Sequence, residues 1–220
     1  MSVNRKIFYE RKSEMKIVHL CLGAFFPDNY SYQENMLPKF HKKQGYDVEV
    51  IASLETFDND GKTCYYSEAK RYTNENDVLV TRLNYKSPDK FYKKLKRFSE
   101  LSQALEMAKP DILFIHNVQF LDMDKVVSYL KRNKKVKVFC DNHADFTNSA
   151  KGFVSRRILH GIIWKHCAKS IEPYTTKFYG VLPARVDFLK EVYGLPEEKC
   201  ELLVMGADDD RVSQASDPAV

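Results

Sequence analysis

The sequence predicts an α/β protein built on a doubly wound, mostly parallel sheet with helices on both faces. Three observations point there. Apolar runs of strand length recur along the chain, among them "KIVHLCL" (16–22), "DVEVIAS" (47–53), "DILFIHN" (111–117) and "VKVFCDN" (136–142). These runs are nearly continuous rather than alternating, as expected for strands buried on both faces. Segments of helical spacing stand between most of them, which is the pattern of parallel crossovers. Together they describe a Rossmann-like sheet.

Each element can be justified in order. Residues 1–14, "MSVNRKIFYERKSE", are polar and basic and read as a tail or extension before Met15. The first strand, 16–22, is followed by a helix over 32–46 with Met36, Leu37 and Phe40 at helical spacing. Pro38 falls in its first turns, where proline is tolerated, and Gly45 stands where the helix should stop. A strand follows over 47–53, then a polar, irregular stretch (54–77) expected to carry short edge strands, then a strand over 77–85. "DKFYKKLKRFSELSQALEMAK" (89–109) predicts one long amphipathic helix with Phe91, Leu95, Phe98, Leu101 and Leu105 on one face, ended by Pro110. The remaining expectations are strands at 111–117, 136–142, 177–183 and 200–205, and helices at 123–133, 153–171 and 184–194. The domain should therefore span 15–205, with 206–220 opening an interdomain linker.

The bulk composition narrows the function classes. Hydrophobic residues at 44% and charged residues at 30% suit a chain with a real core. The net charge of +5 is modest, and basic stretches such as "KRNKKVK" (131–137) are offset by acidic ones such as "ETFDND" (55–60). No nucleic-acid-binding module accompanies them, so no nucleic-acid partner is expected. The five cysteines, at 21, 64, 140, 167 and 200, are scattered and form no CxxC pair. They fit reduced thiols in a cytoplasmic protein, not a zinc site or a disulfide framework. "IVHLCLGAFF" (17–26) is too short to span a bilayer and lacks a cleavage site, so it reads as a core strand. Any membrane contact should be peripheral. Lys90, Lys93, Lys94, Lys96 and Arg97 beside Phe91 and Phe98 give the 89–109 helix a face suited to an anionic membrane. A solvated helix with its stripe in the core explains the same residues equally well.

In open parallel sheets, ligands bind beyond the carboxyl ends of the strands. The loops on that rim are "GAFFPDNYSYQEN" (23–35), "NVQF" (117–120), "DNHADFTNS" (141–149) and "GADDD" (206–210). "CDNHADF" (140–146) places Asp141, Asn142, His143 and Asp145 within five positions at a strand end. Such residues are ordinary turn formers, and a lone turn histidine is usually structural. His143 stands out because it shares its rim with Tyr32, Glu34, His116 and Asn117. No GxSxG, Walker, HExxH or GxGxxG motif is present. His116 and His143 have no i,i+4 histidine or cysteine partner, so no metal site is expected.

Four segments, in order and spacing, resemble the GT-B glycosyltransferases of the large retaining family four. They are "MKIVHLCLGAFFPDNYSYQENMLPKFHKKQGYDVEVIAS", "KPDILFIHN", "CDNHADF" and "LPARVDFLKEVYGLPEEKCELLVMGADDDRV", and they cover 15–212. The resemblance implies the acceptor-side half of a GT-B fold in capsular, exopolysaccharide or glycolipid assembly. It implies a nucleotide-diphosphate sugar as donor substrate, no covalently bound cofactor, no metal, and a glycan or lipid-linked sugar as acceptor. His143 falls on the family's N-domain histidine, which contacts the transferred sugar near the leaving phosphate. Glu34 matches the glutamate of the first helix, Gly23 the loop that approaches the donor diphosphate, and Asp208 the aspartate at the domain junction. The family's Gly-Gly pair is replaced here by "FFPDNYSY" (25–32). That departure assigns Tyr30, Ser31, Tyr32 and Gln33 to an acceptor pocket, with His116, Asn117 and Asp145 as further donor- or acceptor-binding candidates. Asp141 and Asn142 are expected to hold the turn, and Asp145 to orient the His143 ring or cap the next segment. Family members continue into a second Rossmann-like domain that grips the nucleotide. A C-terminal donor domain, in cis or in trans, is thus an expected partner, and the chain alone is expected to be inactive. Two alternatives stay open: a non-catalytic binding subunit of a split glycosyltransferase, or a sugar-nucleotide epimerase on the same architecture.

Overall fold

A computed structural model of the chain describes residues 15–208, apart from 59, 88, 89, 151, 154 and 207. The expected tail (1–14) and most of the expected linker lie outside the described residues.

The elements run β1 (Lys16–Cys21), α1 (Gln33–Lys43), β2 (Asp47–Ala52), β3 (Glu55–Phe57), β4 (Thr63–Tyr65), β5 (Arg71–Thr73) and β6 (Leu79–Arg82). They continue with α2 (Lys90–Leu95), α3 (Leu101–Ala108), β7 (Ile112–His116), α4 (Met123–Arg132) and β8 (Lys137–Asn142). A π-helical stretch, Ser155–Trp164, winds directly into α5 (Lys165–Ile171), followed by β9 (Thr175–Gly180), α6 (Pro183–Glu191) and β10 (Cys200–Leu202). Eight strands form one sheet in the order β10-β9-β8-β7-β1-β2-β6-β5, and β3 pairs with β4 in a separate hairpin. All pairings in the large sheet are parallel except β5 with β6. This is the predicted architecture.

The central strands are buried on both faces, which is why their sequences are apolar almost throughout. From β1 the chain builds outward to β2 and β6, then returns to lay β7 on the opposite side of β1. The crevice between the carboxyl ends of β1 and β7 is therefore the topological switch point, where such sheets place ligands. Register decides which polar side chains share a face. His19 lies opposite Phe114, and His116 opposite Asp141. With side chains alternating along a strand, His19, His116 and Asp141 all project to one face.

Three elements depart from expectation. The helix predicted over 89–109 is two helices, because residues 96–100 make long-range pairings instead. Lys96 adopts a left-handed conformation (φ 53°). Phe98 is buried, donates its N–H to the Asp122 carboxylate at 2.6 Å, and stacks on Tyr85 at 5.0 Å. The 97–99 backbone bonds to the 84–86 segment through Lys86 N–H to Arg97 O and Ser99 N–H to Asn84 O. Of the basic residues there, Lys96 reaches inward to Gly23 O and Glu55, and Arg97 to Asp122. The side chains of Lys90 and Phe91 lie outside the described residues. Second, α1 buries Gln33, Glu34, Asn35 and Pro38, while Met36, Leu37 and Phe40 line a groove with Leu203, Val204 and Met205. Third, ten residues of the helix predicted over 153–171, Ser155–Trp164, are wound as π-helix. Among the described residues, no helix is long and apolar enough to cross a membrane.

Candidate functional site

The site starts where β1 and β7 end. Gly23 lies directly against the Asn117 carbonyl. Asn117 takes a left-handed conformation (φ 65°), which asparagine tolerates better than most residues. Its N–H is held by Asp141 through both the backbone O (3.2 Å) and the carboxylate Oδ1 (3.1 Å). The loops after β1, β7 and β8 are thus tied into one floor.

Above that floor opens a cleft of about 500 Å³. One wall is aromatic, made by Phe25, Tyr32 and Phe57, with Phe25 and Phe57 at 5.2 Å between ring centroids and Tyr30 stacked behind Tyr32 at 5.6 Å. Buried Arg82 anchors the start of this loop by donating to Phe26 O (2.6 Å) and Ser53 O (3.0 Å). Asn35 pins its middle through a bond to Pro27 O at 2.8 Å. The other walls are polar: Gln33 and Glu34 from α1, Lys96 from the helix break, Gln119 after β7, and His143, Asn148 and Ser149 after β8. Two buried acceptors in this lining, Gln33 Oε1 and Asn117 Oδ1, have no hydrogen-bond partner among the described residues. Buried polar atoms are rarely left this way unless something else satisfies them.

His143 is the chemical centre of the cleft. Its Nε2 lies 3.5 Å from Asp141 Oδ1 and 3.6 Å from Glu34 Oε1, between two carboxylates. Burial disfavours the imidazolium, but the nearby Asp141 and then Glu34 outweigh it, and the pKa rises above that of an ordinary histidine. Arg185 opposes the rise. Burial would likewise push Asp141 toward its neutral form. His116, whose Nδ1 sits 2.6 Å from Oδ2, outweighs that and keeps the carboxylate ionised well below the usual range. Glu34 stands in the first turn of α1 and lines the cleft.

Of the residues singled out from sequence, the structure gathers Gly23, Tyr32, Gln33, Glu34, Asn117 and His143 around the cleft. The other four lie outside its lining. Tyr30 stacks on Tyr32, Ser31 bonds to Asp208, and His116 is buried behind Asp141. Asp145 caps its own turn, with Oδ1 accepting from Thr147 N–H, Thr147 Oγ1 and Asn148 N–H at 2.6–2.8 Å. Burial works against that charge, yet these bonds and Arg185 hold its carboxyl at about 2. Lys96, Phe25, Phe57, Gln119, Asn148 and Ser149 were not anticipated, and Asp141 does more than hold a turn. No group of three or more His, Cys, Asp or Glu side chains able to hold a metal ion occurs among the described residues.

No family model matches the chain, and no curated protein matches it in sequence. Solved structures do match. Sucrose-phosphate synthase from Thermosynechococcus elongatus superposes with a TM-score of 0.58 at 12% identity, over 94% of this chain and 53% of that one. The catalytic domain of starch synthase IV from Arabidopsis thaliana, bound to ADP and acarbose, gives 0.56 at 18% identity, over 93% and 54%. A fragment of the same sucrose-phosphate synthase gives 0.54 at 8% identity, over 91% and 94%. The chain thus spans about half the length of the two longer structures. It shares its fold, a mostly parallel Rossmann-like α/β sheet, with domains of these synthases.

Proposed function

We propose that this chain is the acceptor-side half of a glycosyltransferase, which moves a sugar from a nucleotide-diphosphate donor to a glycan or lipid-linked acceptor. One observation carries the reading. Two buried acceptors with no partner among the described residues, Gln33 Oε1 and Asn117 Oδ1, line the same switch-point cleft as His143, whose pKa Asp141 and Glu34 raise above that of an ordinary histidine. Sugar hydroxyls are the donors such acceptors need, and the rings of Phe25, Tyr32 and Phe57 suit the C–H face of a pyranose.

The chemistry follows from those positions. The bond from the sugar C1 to phosphate breaks as the acceptor oxygen bonds to C1, and the acceptor proton leaves with the phosphate. His143 donates a hydrogen bond toward the sugar or the departing phosphate and keeps its own proton throughout. A fixed cation of this kind is most effective where charge develops in the transition state. The reading includes retention at C1, in the setting of polysaccharide or glycolipid assembly, and independence of a metal. It also includes a second, nucleotide-gripping domain, in cis or in trans, that closes over the cleft.

The test has two arms. Glycans titrated into the ¹⁵N-labelled chain should shift the side-chain amide signals of Gln33 and Asn117. The chain alone, given labelled nucleotide sugars and an acceptor, should transfer no sugar. Robust turnover by the 220-residue chain would overturn the half-enzyme reading.

A further inference from the structure

Behind the cleft, three histidines lie in line. His41 Nδ1 is 3.0 Å from His19 Nε2, His19 Nδ1 is 2.9 Å from His116 Nε2, and His116 Nδ1 is 2.6 Å from Asp141 Oδ2. Their rings follow one another at 5.1 and 5.2 Å between centroids. His19, His116 and Asp141 are buried in strands whose neighbours are apolar. Apolar residues would fill these positions at lower cost in desolvation, so packing alone does not account for the imidazoles. We propose that His116 and His19, continued by His41, form a one-directional hydrogen-bond chain that positions the Asp141 carboxylate beneath His143, making His116 and His19 positioning residues for the cleft.

The direction of the chain follows from proton bookkeeping. An ionised carboxylate has no proton to give, so His116 Nδ1–H donates to Asp141. A neutral His116 then has a bare Nε2, which accepts from His19 Nδ1–H. His19 Nε2 is bare in turn and accepts from His41 Nδ1–H. All three rings carry one proton, on Nδ1, and none needs a charge. Burial is the first cause that lowers the pKa of His19 and of His41, consistent with neutral rings at those two positions. Each donated bond polarises the next, strengthening the last one onto Asp141.

The far end opens beside α1, where half-buried His41 shares a groove with Gln44, Tyr46 and Leu203. A proton arriving at His41 Nε2 would move each Nδ1–H one place along and leave one proton on Asp141, with every ring neutral again. The groups facing His143 are Asp141 from β8, Glu34 from α1 and Arg185 from α6. Cys21 from β1 senses both carboxylates and is kept a thiol, first by burial. Among these groups, Asp141 is the one the histidine chain reaches. By donating to Oδ2, the chain draws charge from Asp141 and so moderates its hold on the His143 proton.

That this matters for sugar transfer rests on the function proposed above; the chain itself can be tested without substrate. In the full chain with ¹⁵N-labelled histidine, long-range proton–nitrogen spectra at about pH 7.5 should show His19, His41 and His116 as neutral Nδ1–H tautomers. A protonated His116, or Nε2–H tautomers, would overturn the proposal with no variant needed. In His116→Phe the deprotonated state keeps a carboxylate with one donor fewer. The His143–Asp141 pair should therefore lose its proton at higher pH, by roughly one unit. His19→Phe should give a smaller shift in the same direction. His116→Asn, whose amide NH₂ replaces the Nδ1 donor, should restore the midpoint. An unchanged His143 midpoint in folded His116→Phe would reduce the histidines to packing. Loss of the transferase reading alone would leave all of these outcomes intact.

Discussion

Gly23 meets Asn117 so closely that a Cβ on Gly23 would lie 2.4 Å from the Asn117 carbonyl oxygen. The constraint is one of contact between two backbones, at the point where the loops after β1 and β7 form the floor of the cleft. Gly23→Ala must push these loops apart, at a cost of about 1–3 kcal/mol. Because Asn117 also hangs from Asp141, the displacement should reach the His143 side of the cleft. Urea unfolding should show the loss, and the Asn117 amide signal should move. An unchanged midpoint and spectrum would mean the loops are free to separate.

Much of this floor was legible in the sequence. β1, β7 and β8 are buried on both faces, so their apolar runs announce them, and the rim loops and His143 follow from the rule for strand ends. What was hidden depended on partners distant in sequence. Lys96 enters the cleft only because Phe98 pairs with Tyr85 and Asp122, an interaction that overrides a helical spacing running unbroken through Leu95, Phe98, Leu101 and Leu105. Asp141 looks like a turn residue until the β7–β8 register sets it opposite His116. Phe57 joins the aromatic wall from the β3 hairpin, which no local pattern ties to the rim. The histidine at the centre of "IVHLCL" was the available signal: a polar ring in a strand buried on both faces needs buried partners.

The end of α3 offers a test of backbone conformation alone. Lys109 caps the helix in the left-handed region (φ 46°), donating its N–H to Leu105 O, with an exposed side chain. Glycine adopts this conformation without the Cβ penalty. Lys109→Gly should raise stability by about 1 kcal/mol, read as a higher urea midpoint with an unchanged slope. A lower midpoint would show that the lysine side chain contributes more than its backbone costs.

Histidine titration should make the fold sensitive to mild acid. Burial lowers the pKa of His19, His41 and His160. An unfolded histidine binds its proton near pH 6.5. Below that value, down to the folded pKa, the unfolded chain holds more protons at these three sites, so acid favours unfolding. His143 runs the other way: its contribution is full below about pH 6.5 and is lost as pH rises through its higher folded value. Three sites against one give a net loss of stability from about pH 7.5 to about pH 5.5, a window above ordinary carboxylate titration. A urea midpoint that is flat or rises on acidification would contradict the assignment of these rings as neutral.

Asp141 and His143 should separate stability from chemistry. Asp141 is buried and serves three groups: it accepts from His116 and from the Asn117 N–H, and it faces His143. Asp141→Ala leaves the buried His116 Nδ1–H without an acceptor, leaves the Asn117 N–H with the backbone O of residue 141 alone, and removes the charge that favours the His143 imidazolium. A stranded buried donor costs about 1–3 kcal/mol, and the weakened Asn117 bond adds to it, so the fold should lose roughly 2 kcal/mol or more. His143 is partly exposed, and its Nε2 makes no hydrogen bond of normal length. His143→Ala should therefore cost the fold little. In an assembly that includes a donor domain, it should lower turnover by about 10²-fold, the scale of a lost transition-state donor. Thermal midpoints of both variants, set beside turnover in that assembly, make the comparison. A His143→Ala assembly with full turnover would leave the histidine no role beyond its loop, and a stable Asp141→Ala chain would mean that the buried donors find other partners.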